Sequence, residues 1–234
     1  MSDKNPLSLS VRAIRERTVL RNVYLWMAAG LTLTGVVALG FASSPQLVIS
    51  VIRNPILFFG LIIGEFVLVF FLSARIQSLS PAAATMGFAF YAILNGVTLS
   101  LIFLAYTGAS IASALFITAG TFAGMSIYAV TTKRDLSSMG HYLIMGLWGL
   151  IIASLVNMLL KSTALYWLLS YGGVALFLGL TAYDTQMIKR WSDELGDSVS
   201  EADYLRISIL GALKLYLDFI NLFLFILRIF GRRR

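Results

Sequence analysis

Seven apolar runs, each about as long as a membrane is thick, constrain this chain more than any other feature of its sequence. A helix needs roughly 20 apolar residues to cross the hydrocarbon core of a bilayer. Runs of about that length occupy 23–42, 56–74, 83–106, 111–130, 142–160, 164–188 and 211–230. Only 12% of the 234 residues are charged, about half of the usual share in a soluble domain. We therefore expect an all-α membrane protein with seven transmembrane helices, no soluble domain and the lipid bilayer as its solvent.

The distribution of basic residues predicts an orientation. We expect residues 1–22 to form a basic cytoplasmic tail, either frayed or lying as an interfacial helix, and residues 23–231 to form one membrane domain. Apart from Lys214, which lies within the last span, this orientation leaves eleven Lys and Arg inside and six outside, in agreement with the positive-inside rule. The three terminal arginines then lie outside, against the rule. A re-entrant last segment would return them to the cytoplasm, whereas the length of 211–230 favours a full crossing.

Composition excludes several classes of function. The absence of cysteine rules out disulfides and thiolate chemistry, and the single His141 makes a histidine metal site implausible. The net charge of +7 comes from basic residues that flank the apolar runs. We therefore expect no nucleic-acid partner, no cofactor and no firm metal site.

Small and polar residues inside the spans suggest how the helices pack. The pairs Gly60/Gly64 and Gly120/Gly124 place small residues four apart, a spacing that allows helices to approach closely in lipid. Asn95, in the middle of the third span, is interpreted as a hydrogen-bonding contact between helices.

Three carboxylates lie inside predicted spans, at Glu65, Asp184 and Asp218. An ionisable residue in lipid is costly and is by default a functional-site hypothesis that needs a named partner. The last span carries the clearest case, because Asp218 stands in the middle of an otherwise apolar run.

Asp184 and Asp218 are predicted to face each other from the sixth and seventh spans. At 1.5 Å per residue, Asp184 lies roughly 7–8 Å below the end of its span at Lys189. If the last helix enters the lipid near Gly211, Asp218 lies about 10 Å deep, and Lys214 can extend to the interface. Two carboxyls in a low-dielectric site cannot both ionise at low cost, so such a pair would titrate as a unit. The alternative is that each aspartate only accepts hydrogen bonds from nearby helices.

Arg75, at the cytoplasmic end of the second span, is the predicted cation for this pair. Its guanidinium could clamp one or both aspartates, or it could instead anchor the helix to phosphate headgroups. Glu65 lies ten residues before Arg75, too far for a direct helical pair, and could be a deeper cation ligand. Calcium could bind transiently at Asp184 and Asp218.

Four segments carry a family resemblance. Residues 210–231 (LGALKLYLDFINLFLFILRIFG) resemble the C-terminal signature of the Bax inhibitor-1 family, and 179–186 (GLTAYDTQ) resemble its sixth-helix motif. Residues 131–137 (TTKRDLS) and 153–157 (ASLVN) are similar to its bacterial inner-membrane members. The resemblance implies a seven-helix fold whose last helix is central and wrapped by the other six. It also implies a pH-sensing pair at Asp184 and Asp218, a latch at Arg75 and a pH-dependent calcium leak.

Three functions are consistent with the sequence. The first is a pH-gated calcium or cation channel in the bacterial inner membrane, with Glu65 and Asp218 along the ion pathway. The second is a regulatory protein without transport activity, because some bacterial members resembled here are implied to modulate a membrane protease. The basic tail and the acidic segment 193–203 would then offer the binding surface. The third is an intramembrane aspartyl protease, which is disfavoured because Asp218 lacks the Gly-x-Gly-Asp turn of that class, so no enzyme is expected.

Overall fold

This structure is a computed structural model, and it describes residues 6–76, 78–194 and 200–232, with the side chains of 6–17, 45 and 194 left out. Its secondary structure in these ranges is helical, and the helices are numbered in chain order. They are α1 (Pro6–Ala42), α2 (Pro45–Arg53), α3 (Pro55–Arg75), α4 (Pro81–Leu99), α5 (Ile102–Ala105), α6 (Gly108–Thr131), α7 (Met139–Leu160), α8 (Thr163–Glu194) and α9 (Glu201–Phe230).

The predicted class of an all-α protein with seven membrane spans is confirmed. Within the described ranges, seven helices are long and apolar enough to cross a membrane. They cover Thr18–Ala42, Pro55–Arg75, Pro81–Ala105, Gly108–Thr131, Met139–Leu160, Thr163–Asp193 and Glu201–Phe230. The last of these is one unbroken helix of 30 residues, about 45 Å long. That continuity supports a full crossing over a re-entrant segment.

Polar side chains cap the first turns of several helices. The Asn54 side chain accepts hydrogen bonds from the backbone N–H groups of Ile56 and Leu57, and a proline occupies the first turn of α3. Ser80 caps α4 in the same way, ahead of Pro81. At the start of α9, the Asp203 N–H donates to Ser200 Oγ at 3.2 Å. These contacts satisfy N–H groups that a helix leaves without partners in its first turn.

The structure differs from the sequence-based boundaries in four places. The backbone of α1 is helical from Pro6, so the described part of the tail continues into the first span. The additional helix α2 lies between the first two spans; its Val48 is buried while Leu47 and Ile49 are exposed. Such a short amphipathic helix does not have the length of a span, so a search for span-length runs passes over it. The helix α8 continues through Asp193, beyond the predicted end at 188.

The fourth difference is a break in the third span, which the sequence predicts as one helix over 83–106. The Ser100 hydroxyl donates to the Val97 carbonyl at 2.6 Å, and the N–H of Leu101 donates to Thr98 O at 3.3 Å. These are bonds three residues apart, which tighten the chain and interrupt the regular ladder of an α-helix. The short α5 completes the crossing after this break.

The chain forms two compact units. The first contains Met1–Ala105 and Ile188–Leu213, and the second contains Tyr106–Met187 and Lys214–Arg234. In the first unit α1 and α3 both pack against α4. The contact of α1 with α4 is closest at Gly96, where an added Cβ would lie 2.8 Å from Thr34 O and from Val37 Cβ. Thr34 Oγ1 also donates to Ala92 O at 2.9 Å across this contact.

The predicted glycine pairs do not make close helix contacts. Built Cβ atoms at Gly60, Gly64, Gly120 and Gly124 meet no described atom within 4 Å. The prediction is wrong because spacing alone does not tell which face of a helix meets a neighbour. Gly96 does meet a neighbouring helix closely, although it has no glycine four residues away.

Aromatic contacts fasten α9 within the second unit. Phe219 meets Phe122 of α6 edge to face at 5.4 Å, and Phe225 stacks on Phe177 of α8 at 5.9 Å. Gly173 leaves room for the Phe225 ring, which would lie 2.6 Å from an added Cβ.

The last helix is the most buried span. Two thirds of its most apolar window, 67%, is buried inside the protein, against 6–39% for the other six spans. Its prediction as the central helix is confirmed, and this burial withdraws its polar side chains from lipid.

Candidate functional site

Asp184 and Lys214 form an ion pair inside the second unit. Asp184 lies in the C-terminal half of α8 and is 5% exposed, and its Oδ1 is 3.4 Å from Nζ of Lys214 in α9. The lysine side chain keeps 34% of its surface exposed. The costly charge on α8 therefore has a partner of opposite sign, as burial in lipid requires.

Asp218 lies one helical turn after Lys214 on the same face of α9. Its side chain is only 4% exposed, and Oδ2 is buried without a hydrogen bond from any described group. Asp184 and Lys214 both act electrostatically on its carboxyl group. The structure thus collects two carboxyls and one ammonium, which we call the Asp-Lys-Asp cluster (Asp184, Lys214 and Asp218).

The sequence around Asp184 fixes the position of its helix. Gln186, two residues on, accepts the N–H of Leu136 at 2.7 Å and donates Nε2 to Arg134 O at 2.9 Å. One side chain therefore ties the loop between α6 and α7 to α8. The hydroxyl of Thr181, one turn before Asp184, donates a hydrogen bond to Phe177 O at 2.7 Å. These bonds satisfy local polar groups and leave the Asp184 carboxyl available to Lys214.

The net charge of the Asp-Lys-Asp cluster depends on its protonation. With both carboxyls ionised the cluster carries one negative charge, and the addition of one proton makes it neutral. Charges that share a low-dielectric site titrate together. A net charge of this sign can take up a proton or attract a cation.

Glu65 forms a separate polar cluster in the first unit. Its half-buried carboxylate on α3 accepts a hydrogen bond from the Thr98 hydroxyl and one from Asn95 Nδ2 at 3.4 Å. Both donors lie on α4, within six residues of the break at Ser100. The predicted role of Asn95 as an interhelical contact is confirmed, and its partner is a carboxylate.

Comparison with known proteins identifies the family. Residues 16–234 match the model of a family described as "Inhibitor of apoptosis-promoting Bax1". The chain belongs to the Bax inhibitor-1 family. It is 50% identical over 234 residues to "Inner membrane protein YbhL" of Escherichia coli K12, covering 99% of this chain and all of that protein.

Further relatives come from other bacteria. An uncharacterized protein of Borreliella burgdorferi is 46% identical over 215 residues, 92% of each chain. An uncharacterized membrane protein of Streptococcus pyogenes serotype M3 is 39% identical over 187 residues, 80% of each chain. The match to the family covers both aspartate motifs and the whole of the last helix.

Arg75, the latch that the family resemblance implies, ends α3 with an exposed side chain. Its clamp on the aspartates stays a prediction, as does the ion pathway through Glu65 and Asp218. The described residues contain no group of three His, Cys, Asp or Glu that could hold a metal ion. Transient calcium binding at Asp184 and Asp218 also stays a prediction.

Lys214 is the member of the cluster whose role sequence reasoning missed. The lysine was assigned to the lipid interface, because long basic side chains near the end of a span usually reach the headgroups. A signal was available, since Lys214 precedes Asp218 by four residues and therefore shares its face. Two predicted elements lie partly outside the described residues: the acidic segment, which includes Asp197, and the basic tail, which includes Lys4.

Proposed function

We propose that this chain is a multi-pass protein of the bacterial inner membrane that passes calcium, or another cation, in response to pH. Membership of the Bax inhibitor-1 family and seven apolar spans support the membrane location. The printed name of the YbhL relative supports the inner membrane. The distribution of basic residues supports a cytoplasmic N-terminus.

The single observation that carries the proposal is the Asp-Lys-Asp cluster. Two nearly buried carboxyls share one ammonium, which is 3.4 Å from Asp184, and Asp218 Oδ2 has no hydrogen-bond partner among the described groups. A buried polar atom without a partner calls for a functional explanation. A carboxyl that alternates between a proton and a cation provides one.

Protonation is the proposed trigger. As the pH falls, the cluster gains a proton and its carboxyls lose their attraction for the cations that hold them, Lys214 and, in the predicted latch, Arg75. Release of these contacts would allow α9 to move and open a path lined by Asp218, with Glu65 deeper. Calcium flux is therefore expected to rise as the pH falls from 8 to 6.

The test is calcium flux into proteoliposomes that contain the full chain, measured between pH 6 and pH 8. Asp184→Asn and Asp218→Asn should each flatten the pH dependence, because an amide cannot gain or lose a proton in this range. Asp193→Asn is the matched control, since Asp193 is an exposed carboxylate at the end of the same helix α8. Unchanged flux and an unchanged pH profile in both cluster variants would refute the proposal.

A second pair of variants distinguishes which cation, Lys214 or Arg75, pairs with the aspartates in the closed state. Lys214→Gln should shift the pH at half-maximal flux if the ion pair with Asp184 sets the closed state. Arg75→Gln should do so if the latch implied by the family operates. A shift in only one variant assigns the role to that residue.

A further inference from the structure

A cavity of about 440 Å³ opens at the end of the second unit where α7 leads into α8 and α9 ends. Its lining combines Lys161, the N-terminal residues of α8, Tyr166, Trp167 and Arg228. Along α9, Arg228 is ten residues from Asp218, about 15 Å. The cavity is therefore distinct from the Asp-Lys-Asp cluster and plays no part in the function proposed above.

Two cations line this cavity. The Arg228 guanidinium lies over the Tyr166 ring, 4.7 Å from its centroid, and 5.7 Å from that of Phe225. Stacking on rings fixes the plane of a guanidinium while its N–H groups can still donate. Lys161 is exposed, and neither cation forms a salt bridge with a carboxylate in the described part of the chain.

The turn that carries Lys161 is built around an uncommon backbone conformation. Lys161 has φ 52° and ψ 31°, the left-handed region, and it ends α7 with its N–H donating to Asn157 O at 2.8 Å. Asn157 Oδ1 accepts the next N–H, that of Ser162, at 3.0 Å. Glycine and asparagine suit this conformation better than lysine. The lysine nevertheless occupies this position and brings its positive charge to the lining of the cavity.

The start of α8 adds a third positive element. This helix of 32 residues begins at Thr163, which lines the cavity together with Ser162. The first N–H groups of a helix and its macrodipole favour an anion at that end. Two side-chain cations and a helix start around one cavity make an anionic ligand the best fit.

The surroundings favour a lipid over a free anion. Exposed apolar side chains lie within two residues of the lining residues along the chain, including Leu159 at 83%, Leu168 at 68% and Phe230 at 62%. Trp167 stacks on Tyr171, and both rings are partly exposed. Tryptophan and tyrosine are typical of the level of the headgroups. A ligand in the cavity would thus have its charge among cations and its tail along an apolar surface.

We propose that this cavity binds the phosphate headgroup of an anionic phospholipid through Arg228 and Lys161. The acyl chains would lie along the exposed apolar side chains of α7 and α8. In the predicted orientation this site faces the outer leaflet.

The test is native mass spectrometry of the full chain, purified in detergent and titrated with phosphatidylglycerol or with phosphatidylethanolamine. The wild type should bind the first phosphatidylglycerol more tightly than phosphatidylethanolamine. Arg228→Gln and Lys161→Asn should each weaken that first event about fivefold, because a basic residue near a lipid surface contributes about that factor. Lys133→Asn, the same exchange in the loop between α6 and α7, should change nothing.

Lys161→Asn keeps the test valid if Arg228→Gln does not fold, because asparagine accepts the left-handed turn. Addition of 10 mM inorganic phosphate distinguishes the two sources of the headgroup chemistry. Retention of phosphatidylglycerol supports the lipid site, whereas its displacement by phosphate identifies a site for free anions and overturns the proposal. Equal binding of both lipids, or full binding in Lys161→Asn, also overturns it.

Discussion

Lys214 of α9 and Asp184 of α8 are paired across two helices, with Nζ of the lysine 3.4 Å from Oδ1 of the aspartate. Asp218, one turn further along α9, shares the electrostatic influence of both. The lysine thus has two carboxyls to balance with one charge.

Replacement of Lys214 by methionine should destabilise the protein most at high pH. The change leaves Asp184 and Asp218 buried without their ammonium, and loss of one partner of a buried pair costs about 3–5 kcal/mol. Because Lys214 is about one third exposed, water compensates part of the loss, and we expect about 1–2 kcal/mol. As the pH falls the carboxyls gain protons and need the ammonium less, so the difference in Tm from the wild type should narrow between pH 8 and pH 5.

The matched control for this change is Lys133→Met, which removes an exposed lysine from the loop after α6. Thermal unfolding in detergent at several pH values measures both variants. Adding Asp184→Asn to Lys214→Met should recover part of the lost stability. Additive losses in the double variant would mean that the two residues do not interact.

Replacement of Gly96 by alanine should destabilise the first unit. The new methyl group would lie 2.8 Å from Thr34 O and from Val37 Cβ, and overpacking of this kind costs about 1–3 kcal/mol. Gly64→Ala is the control, because its methyl group meets no described atom within 4 Å. A Tm for Gly96→Ala equal to that of Gly64→Ala would contradict the close contact of α1 with α4.

Replacement of Glu65 by glutamine should separate the ion pathway from the pH sensor. The amide oxygen still accepts from Thr98 or Asn95, so we expect the fold to persist with a loss of about 1 kcal/mol or less. Calcium flux should fall at every pH, because a negative charge along the proposed path is gone. The pH at half-maximal flux should stay at its wild-type value, and a shift would place Glu65 in the sensor instead.

Replacement of Gln186 by alanine should loosen the loop between α6 and α7. The N–H of Leu136 would lose its acceptor and Arg134 O its donor, at a cost of about 1 kcal/mol for each bond. Hydrogen exchange of residues 131–138 should accelerate. Gln186→Glu, which keeps the acceptor, should have a smaller effect, and Gln46→Ala in α2 should have none.

The all-α class and the number of membrane spans could be predicted from the sequence, because the bilayer imposes a minimum length on any apolar run that crosses it. The break after Leu99 could not, since it depends on hydrogen bonds that Ser100 makes within three residues. The helix α2 was missed for a related reason: its nine residues are amphipathic and do not span.

The candidate site could be predicted as far as the identity of its carboxylates. A buried charge on a span is visible in the sequence, and Asp184 and Asp218 stand out for that reason. The partner of Asp184 could not be predicted, because it depends on which faces of the helices meet. In the structure the ammonium of Lys214 reaches Asp184 from the neighbouring helix. The role of Gln186 could not be predicted either, because its side chain bonds two backbone groups, Leu136 N–H and Arg134 O, that lie about fifty residues away in the sequence.

The contact of Glu65 with α4 has a consequence for biogenesis. α3 is the most apolar of the seven spans, and only 6% of its most apolar stretch is buried inside the protein. It can therefore partition into lipid although it carries one acid, Glu65, and the insertion of a charged residue costs about 2.5–3.5 kcal/mol. Until α4 emerges from the ribosome, however, the acid has neither Thr98 nor Asn95 to bind it. Only a few residues separate the two helices. Co-translational insertion of α3 and α4 as one hairpin would therefore shelter this acid from the moment it meets the lipid.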